Sequence, residues 1–272
     1  MKTKLHENGW TVIIEEDIKS LTKEEILEVG RLVVSNMVVV FYKQQLTAAD
    51  EQRICNTIGT VQLVGENIRL SNTAPAISRV TGELRNGKMG LFGHKHDLDW
   101  HANQPSNTNR KPLIWLYGER GTAGSKTSWI NNIASYEALD NDFKEELKDI
   151  EVFCGYKKGG YSDSEYFKEH INTEYPIKLV QTNEEGKTGL FFPFLQIFGF
   201  KDRSEEYFNA TMQRLKNHVL QSQFAYHHDW TDGDIVISEQ WLSIHKRWAF
   251  EKMDERVLHR IAFDHNRLYP RG

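Results

Sequence analysis

The sequence predicts a mainly β fold with helices: one domain over residues 1–272, built on a double-stranded β-helix (jelly roll) core with supporting α-helices packed on one sheet. Three observations predict it. Short runs rich in β-branched and aromatic residues recur along the chain, strand and helix alternate only near its start, and no repeat, low-complexity tract or linker divides it. In order, Gly9 to Ile14 alternates and reads as a strand. Thr22-Lys23-Glu24-Glu25 is a capping box opening a helix to about Asn36, with Ile26, Leu27, Val29, Leu32 and Val33 as its apolar stripe. Met37 to Tyr42 is a buried strand, and Thr47-Ala48-Ala49-Asp50 caps a second helix ending near Gly59. Further short strands are expected at Ile77–Val80, Leu113–Tyr117, Thr127–Ile130, Glu151–Tyr156, Lys178–Gln181, Asp234–Ser238 and Val257–Phe263. Between them a helix over Glu205–Gln221 carries Tyr207, Phe208, Met212, Leu215 and Val219 near helical spacing, a stripe that reads as core-facing.

Composition bounds the function. With 39% apolar residues, 26% charged residues and seven tryptophans, the chain can bury a substantial core. A net charge of −4, with Lys and Arg spread along the chain, gives no nucleic-acid footprint. Cys55 and Cys154 are too few for a disulfide framework and read as reduced thiols in a cytosol. Residues 1–9 lack the apolar core of a signal peptide, and no apolar run is long enough to span a membrane. A cytoplasmic protein without membrane or nucleic-acid partners is expected; a monomer and a homo-oligomer are both compatible with the sequence.

Two histidine sites carry the chemistry. Trp100-His101-Ala102-Asn103 lies near the middle, and Gly233-Asp234-Ile235 leads to His245, eleven residues after Asp234. Arg256 and Arg260 follow eleven and fifteen residues beyond His245. Two imidazoles on one face of a metal, with open positions for small ligands, are the core of a mononuclear Fe(II) oxygenase site. A guanidinium suits bidentate capture of a carboxylate. Arg256 and Arg260, four apart on an expected strand, would share one face, and two like charges facing the interior call for anions. His94 and His96 read as loop residues, and Tyr226-His227-His228-Asp229-Trp230 as structural.

This ordered set resembles the taurine dioxygenase-like (TauD/TfdA) branch of the Fe(II)/2-oxoglutarate oxygenases over nearly the whole chain. Met37–Tyr42 and the following helix, Ile58-Gly59, Asp99-Trp100-His101, the run Thr127-Ser128-Trp129 to Tyr136-Glu137-Ala138-Leu139, and the Gly-Asp-Ile/His/Arg order are similar to that family's landmarks. The resemblance implies Fe(II) as metal, 2-oxoglutarate as co-substrate, O₂, and a small, anionic primary substrate. It implies His101, Asn103 and His245 as the catalytic, metal-facing set, with Thr127 and Arg256 on 2-oxoglutarate and Arg260 on the substrate anion or sharing the co-substrate.

Three departures matter. Asn103 stands where the family has the ligating aspartate. Its amide oxygen could ligate weakly, the position could be left to water or chloride as in the family's halogenating relatives, or the protein could hold iron poorly. Asp97 and Asp99 lie upstream of the usual position. Thr60-Val61-Gln62-Leu63-Val64 lacks the family's taurine-binding histidine, and Ser238-Glu239-Gln240-Trp241 replaces its Trp-Asp-Asn-Arg. The expected function is oxidation, by hydroxylation, of a small anion; the alternatives are a halogenase-like variant and a non-catalytic, iron-poor binding protein on the same fold.

Overall fold

Two antiparallel-rich sheets face each other, and period-two alternation explains which residues lie between them. The computed structural model describes residues 1–104, 112–155 and 176–270. The larger sheet has eight strands in the order Thr3–Leu5, Val12–Ile14, Val38–Phe41, Ile235–Glu239, Leu113–Arg120, Val257–Phe263, Ala74–Val80 and Arg69–Ser71. Only Val12–Ile14 and Val38–Phe41 pair in parallel there. The smaller sheet orders Ala225–Asp229, Lys126–Asn131, Ser243–Arg247 and Leu98–His101, all antiparallel. Val38, Val40, Ile114, Leu116, Val236, Leu258 and Ala262 meet Trp129 and Tyr226 of the smaller sheet in one core. Their neighbours of opposite parity, Val39, Phe41, Trp115, Ile237, Ile261 and Phe263, face the other way and pack under two helices.

Those helices begin as expected. Thr22 and Thr47 each accept the N3 amide proton while Glu25 and Asp50 accept theirs in return, so both capping boxes are complete over Lys23–Asn36 and Ala48–Ile58. Gly59 ends the second helix at a close approach: a Cβ there would sit 1.9 Å from the Asp264 carbonyl oxygen.

Several expectations are corrected. Helices flank both sheets: Phe143, Leu147, Leu215 and Val219 pack with Ile130 and Ile244 behind the smaller sheet. An apolar stripe tells a helix to face a core without saying which one. The Gly9–Ile14 strand starts only at Val12, because Gly9 has φ +77° in a turn that returns its N–H to the His6 carbonyl. Lys178–Gln181 is broken at Leu179, whose N–H goes to Ile150 and whose carbonyl accepts from Phe191. The 151–156 strand ends at Cys154, and Tyr156 lies outside the described residues. The long helix runs Glu205–Val219. Among the described residues no helix is long and apolar enough to cross a membrane.

On the outer face of the larger sheet, Glu51 is fully buried and accepts from Trp115 Nε1 at 2.9 Å and His259 Nδ1 at 2.7 Å. Glu119 lies 3.6 Å from His259 Nε2. Burial alone would lower the His259 pKa, but the hydrogen bonds and charges of Glu119 and Glu51 outweigh it and hold it at about 9. A pKa raised in the folded state gives stability that is complete below the unfolded value and lost as pH rises through the folded one. Stability should therefore fall as pH rises from about 6.5 through about 9. Thermal unfolding across that range checks it, and a His259→Gln variant should lose most of the slope. An unchanged slope would assign the loss to other groups.

Candidate active site

Directly opposed residues of an antiparallel pair share a face, and that rule assembles the site on the smaller sheet. Trp129 lies opposite His245, and Thr127 opposite Arg247. On the other side of its strand, His245 lies opposite His101. Trp129 belongs to the core between the sheets, so this face looks inward. From the larger sheet, Arg260 shares the parity of Leu258 and Ala262 and also points inward, while His259 points out to Glu51. Gly233 makes the turn into the Ile235–Glu239 strand at φ +91°, where a Cβ would meet the Gln44 carbonyl oxygen at 2.6 Å. Asp234 beside it accepts from the Lys43 and Thr231 amides and contacts His228 Nε2 at 3.2 Å.

One cavity is lined by all six residues singled out from the sequence: His101, Asn103, Thr127, His245, Arg256 and Arg260. Phe92, Leu98, Ile114 and Leu258 give it apolar walls. The imidazoles of His101 and His245 have ring centroids 4.1 Å apart. His101 Nδ1 lies 2.6 Å from the Asp99 carbonyl oxygen, an acceptor only, so Nδ1 carries the proton and Nε2 keeps its lone pair. That Nε2 is buried and has no hydrogen-bond partner among the described residues. Burial, outweighing the Asp99 contact, lowers the His101 pKa to about 4; burial, then the charges of His101 and Arg260, takes that of His245 well below its ordinary value. Both rings are neutral at pH 7, the form that binds a metal. The orphaned Nε2 of His101, beside the neutral ring of His245, fits a divalent metal held by two imidazoles.

Asn103 is buried beside them. Its amide nitrogen lies 2.5 Å from Gln240 Oε1 and 3.4 Å from His245 Nε2. Among the described residues no three His, Cys, Asp or Glu side chains come together as a metal-binding group. Asp97 and Asp99 turn away to Lys246 Nζ at 2.9 and 3.4 Å. His94 and His96 stack on each other, 3.7 Å between centroids, in a loop. Trp230 Nε1 donates to Thr127 Oγ1 at 2.9 Å, which leaves the threonine proton to give to a ligand.

Arg256 is not on the strand, as the period-two reading had it. The strand starts at Val257 and its register shifts between Val257 and Leu258. This bulge lets residues on either side of it reach the same cavity. Arg256 is 1% exposed, its Nη1 contacts Met253 Sδ at 3.3 Å, and among the described residues its Nε has no hydrogen-bond partner. Burial, then the nearby charge of Arg247, lowers its pKa. Among the described residues no carboxylate offsets this charge.

The sequence reading missed Arg247 and Gln240. Arg247 lines the cavity and donates to the carbonyls of His94 and His96 at 2.8 and 2.7 Å, and to that of Phe92. Its place two residues after His245 was a usable signal. Gln240 gave none, since its contact to Asn103 spans 137 residues.

Residues 8–262 match the family described as taurine catabolism dioxygenase TauD, TfdA. An alpha-ketoglutarate-dependent 2,4-dichlorophenoxyacetate dioxygenase of Burkholderia sp. is 25% identical over 156 residues, 55% of this chain and 52% of that protein, so the match spans about half of that relative. The (S)-phenoxypropionate/alpha-ketoglutarate-dioxygenase of Sphingobium herbicidovorans is 24% identical over 242 residues, 83% of this chain and 82% of that one. The crystal structure of a taurine dioxygenase from Burkholderia xenovorans superposes with a TM-score of 0.77 at 16% identity, covering 93% of this chain and 85% of that one. The chain belongs to the TauD/TfdA family of oxidoreductases, the Fe(II)- and 2-oxoglutarate-dependent dioxygenases.

Proposed function

We propose that the protein hydroxylates a small anionic molecule, using a single domain over residues 1–272 with a double-stranded β-helix core. The observation that carries this reading is the buried cavity in which two neutral imidazoles adjoin Thr127, Arg256 and Arg260. His101 and His245 would hold the metal; when bound, Fe(II) with 2-oxoglutarate and O₂ supplies the oxidant. Arg256 takes the distal carboxylate of 2-oxoglutarate, with a second hydrogen bond from the Thr127 hydroxyl. Arg260 orients the anionic group of the substrate, and the apolar walls exclude water from the reacting carbon. Two relatives are named for phenoxy acids, which pair an apolar ring with a carboxylate, as the mixture of apolar and cationic walls does here. A cytoplasmic location is carried over from the sequence, in which Cys55 and Cys154, both buried, are too few for a disulfide framework.

The test is succinate release from 2-oxoglutarate under O₂ with added Fe(II), with and without phenoxyacetates, other small carboxylates and sulfonates. Metal-dependent succinate that rises with one of these acids is the expected result. The asparagine at position 103 favours a second reading, a protein on this fold that binds small anions without turnover. Binding of 2-oxoglutarate with no Fe(II)-dependent succinate would replace the first reading by the second.

A further inference from the structure

Gln240 sits in the turn between the Ile235–Glu239 and Ser243–Arg247 strands, 2% exposed, and that turn is fixed from both sides. Its backbone N–H goes to the Pro112 carbonyl, and the Glu239 carboxylate accepts from the Trp241 and Leu242 amides at 2.5 and 2.7 Å. The Gln240 side chain meets Asn103 twice, at the backbone nitrogen (3.1 Å) and at the side-chain amide (2.5 Å). These two contacts decide which way both amides point. A backbone N–H can only donate, so the Gln240 atom facing it must be the oxygen. The Asn103 side-chain atom facing that same oxygen must then be the NH₂ group.

This NH₂ is also the Asn103 side-chain atom that lies 3.4 Å from His245 Nε2. With metal–imidazole bonds of about 2 Å, adjacent ligand atoms lie roughly 3 Å apart, so the nitrogen occupies the neighbourhood of a third ligand. An amide nitrogen has no lone pair to offer a metal. We propose that Gln240 is a positioning residue that holds Asn103 with its nitrogen, not its oxygen, toward the metal, so that Asn103 is a hydrogen-bond donor beside the metal and not a ligand of it. One N–H is spent on Gln240. The second faces His245 Nε2 at 3.4 Å, and with a metal bound to that nitrogen it would serve a lone pair of water or of a small anion beside the metal. The inference rests on His101 and His245 holding the metal.

Cobalt(II) binding to the whole protein tests it, read by calorimetry and by visible absorption in place of turnover. His101→Ala should lose at least about 100-fold in affinity, the expected size for a true ligand. Asn103→Ala should stay within about threefold of the native protein with unchanged absorption bands. Gln240→Met removes the acceptor and frees the Asn103 amide to present its oxygen. It should change the bands, and that change should vanish in the Gln240→Met/Asn103→Ala double variant. If Gln240→Met does not fold, Asn103→Ala alone still decides whether the amide ligates. A tenfold or greater loss in Asn103→Ala, with His101→Ala also defective, would keep the metal site and overturn the donor role. Unchanged bands in folded Gln240→Met would overturn the positioning role. Cobalt that does not bind, or that binds regardless of His101, would overturn the metal reading and this inference with it.

Discussion

Arg256→Met should weaken 2-oxoglutarate binding by about 30- to 1000-fold, the 2–4 kcal/mol typical of removing one member of a buried charge pair. The same substitution should stabilise the protein when 2-oxoglutarate is absent. The guanidinium is buried with an Nε that has no partner among the described residues and a thioether as its Nη1 contact, and the like charge of Arg247 lies near enough to lower its pKa. An uncompensated buried cation costs several kcal/mol, and an apolar side chain of similar length relieves that cost. Opposite signs in the two measurements separate a binding arginine from a structural one, which would lower stability when removed. Calorimetric titration with 2-oxoglutarate and thermal unfolding without it provide both. Arg260→Met should spare 2-oxoglutarate and raise the Michaelis constant of the primary substrate. Equal losses in the two variants would mean that the arginines share the co-substrate, and no loss in either would remove 2-oxoglutarate from this cavity.

How far the site could be read in advance follows from which interactions are local. The two capping boxes were legible because three residues define each. The Val257–Phe263 strand was legible as a short, mostly apolar run, but it is buried on both faces, and Arg260 was aimed inward by its shared face with Arg256 and by the family resemblance. His101 and His245 were found from motif order, and the cavity brings them side by side across the Leu98–His101 and Ser243–Arg247 strands. Neither strand was expected, since Leu98-Asp99-Trp100-His101 and Ser243-Ile244-His245-Lys246-Arg247 lack a clean β-branched run. Arg256 reaches the cavity from beyond a register shift, which no alternation pattern encodes. The Gln240 contact is a property of two loops meeting, and only three-dimensional packing states it.

Asn103→Asp should bind Fe(II) about 100-fold more tightly than the native protein, while its metal-free form should be less stable. The gain comes from placing a negative charge close to a dication in a site whose other protein donors are neutral. The loss comes from Gln240. Its oxygen now accepts from the backbone and side chain of Asn103. Facing a carboxylate, it must either endure two acceptors in contact or turn its own NH₂ forward and leave the backbone N–H of residue 103 without an acceptor. Either choice in a buried site costs about 1–3 kcal/mol, a fall of roughly 2–10 °C in melting temperature for a domain of this size. Fe(II) should restore it, because the metal then takes the carboxylate lone pairs. Succinate release divides the two accounts of why asparagine stands here. In an enzyme tuned around the asparagine, the aspartate variant holds more iron yet loses turnover or changes its product. In a protein that binds without turnover, the aspartate creates 2-oxoglutarate consumption that the native chain lacks. Equal iron affinity in the two proteins would show that residue 103 does not face the metal at all.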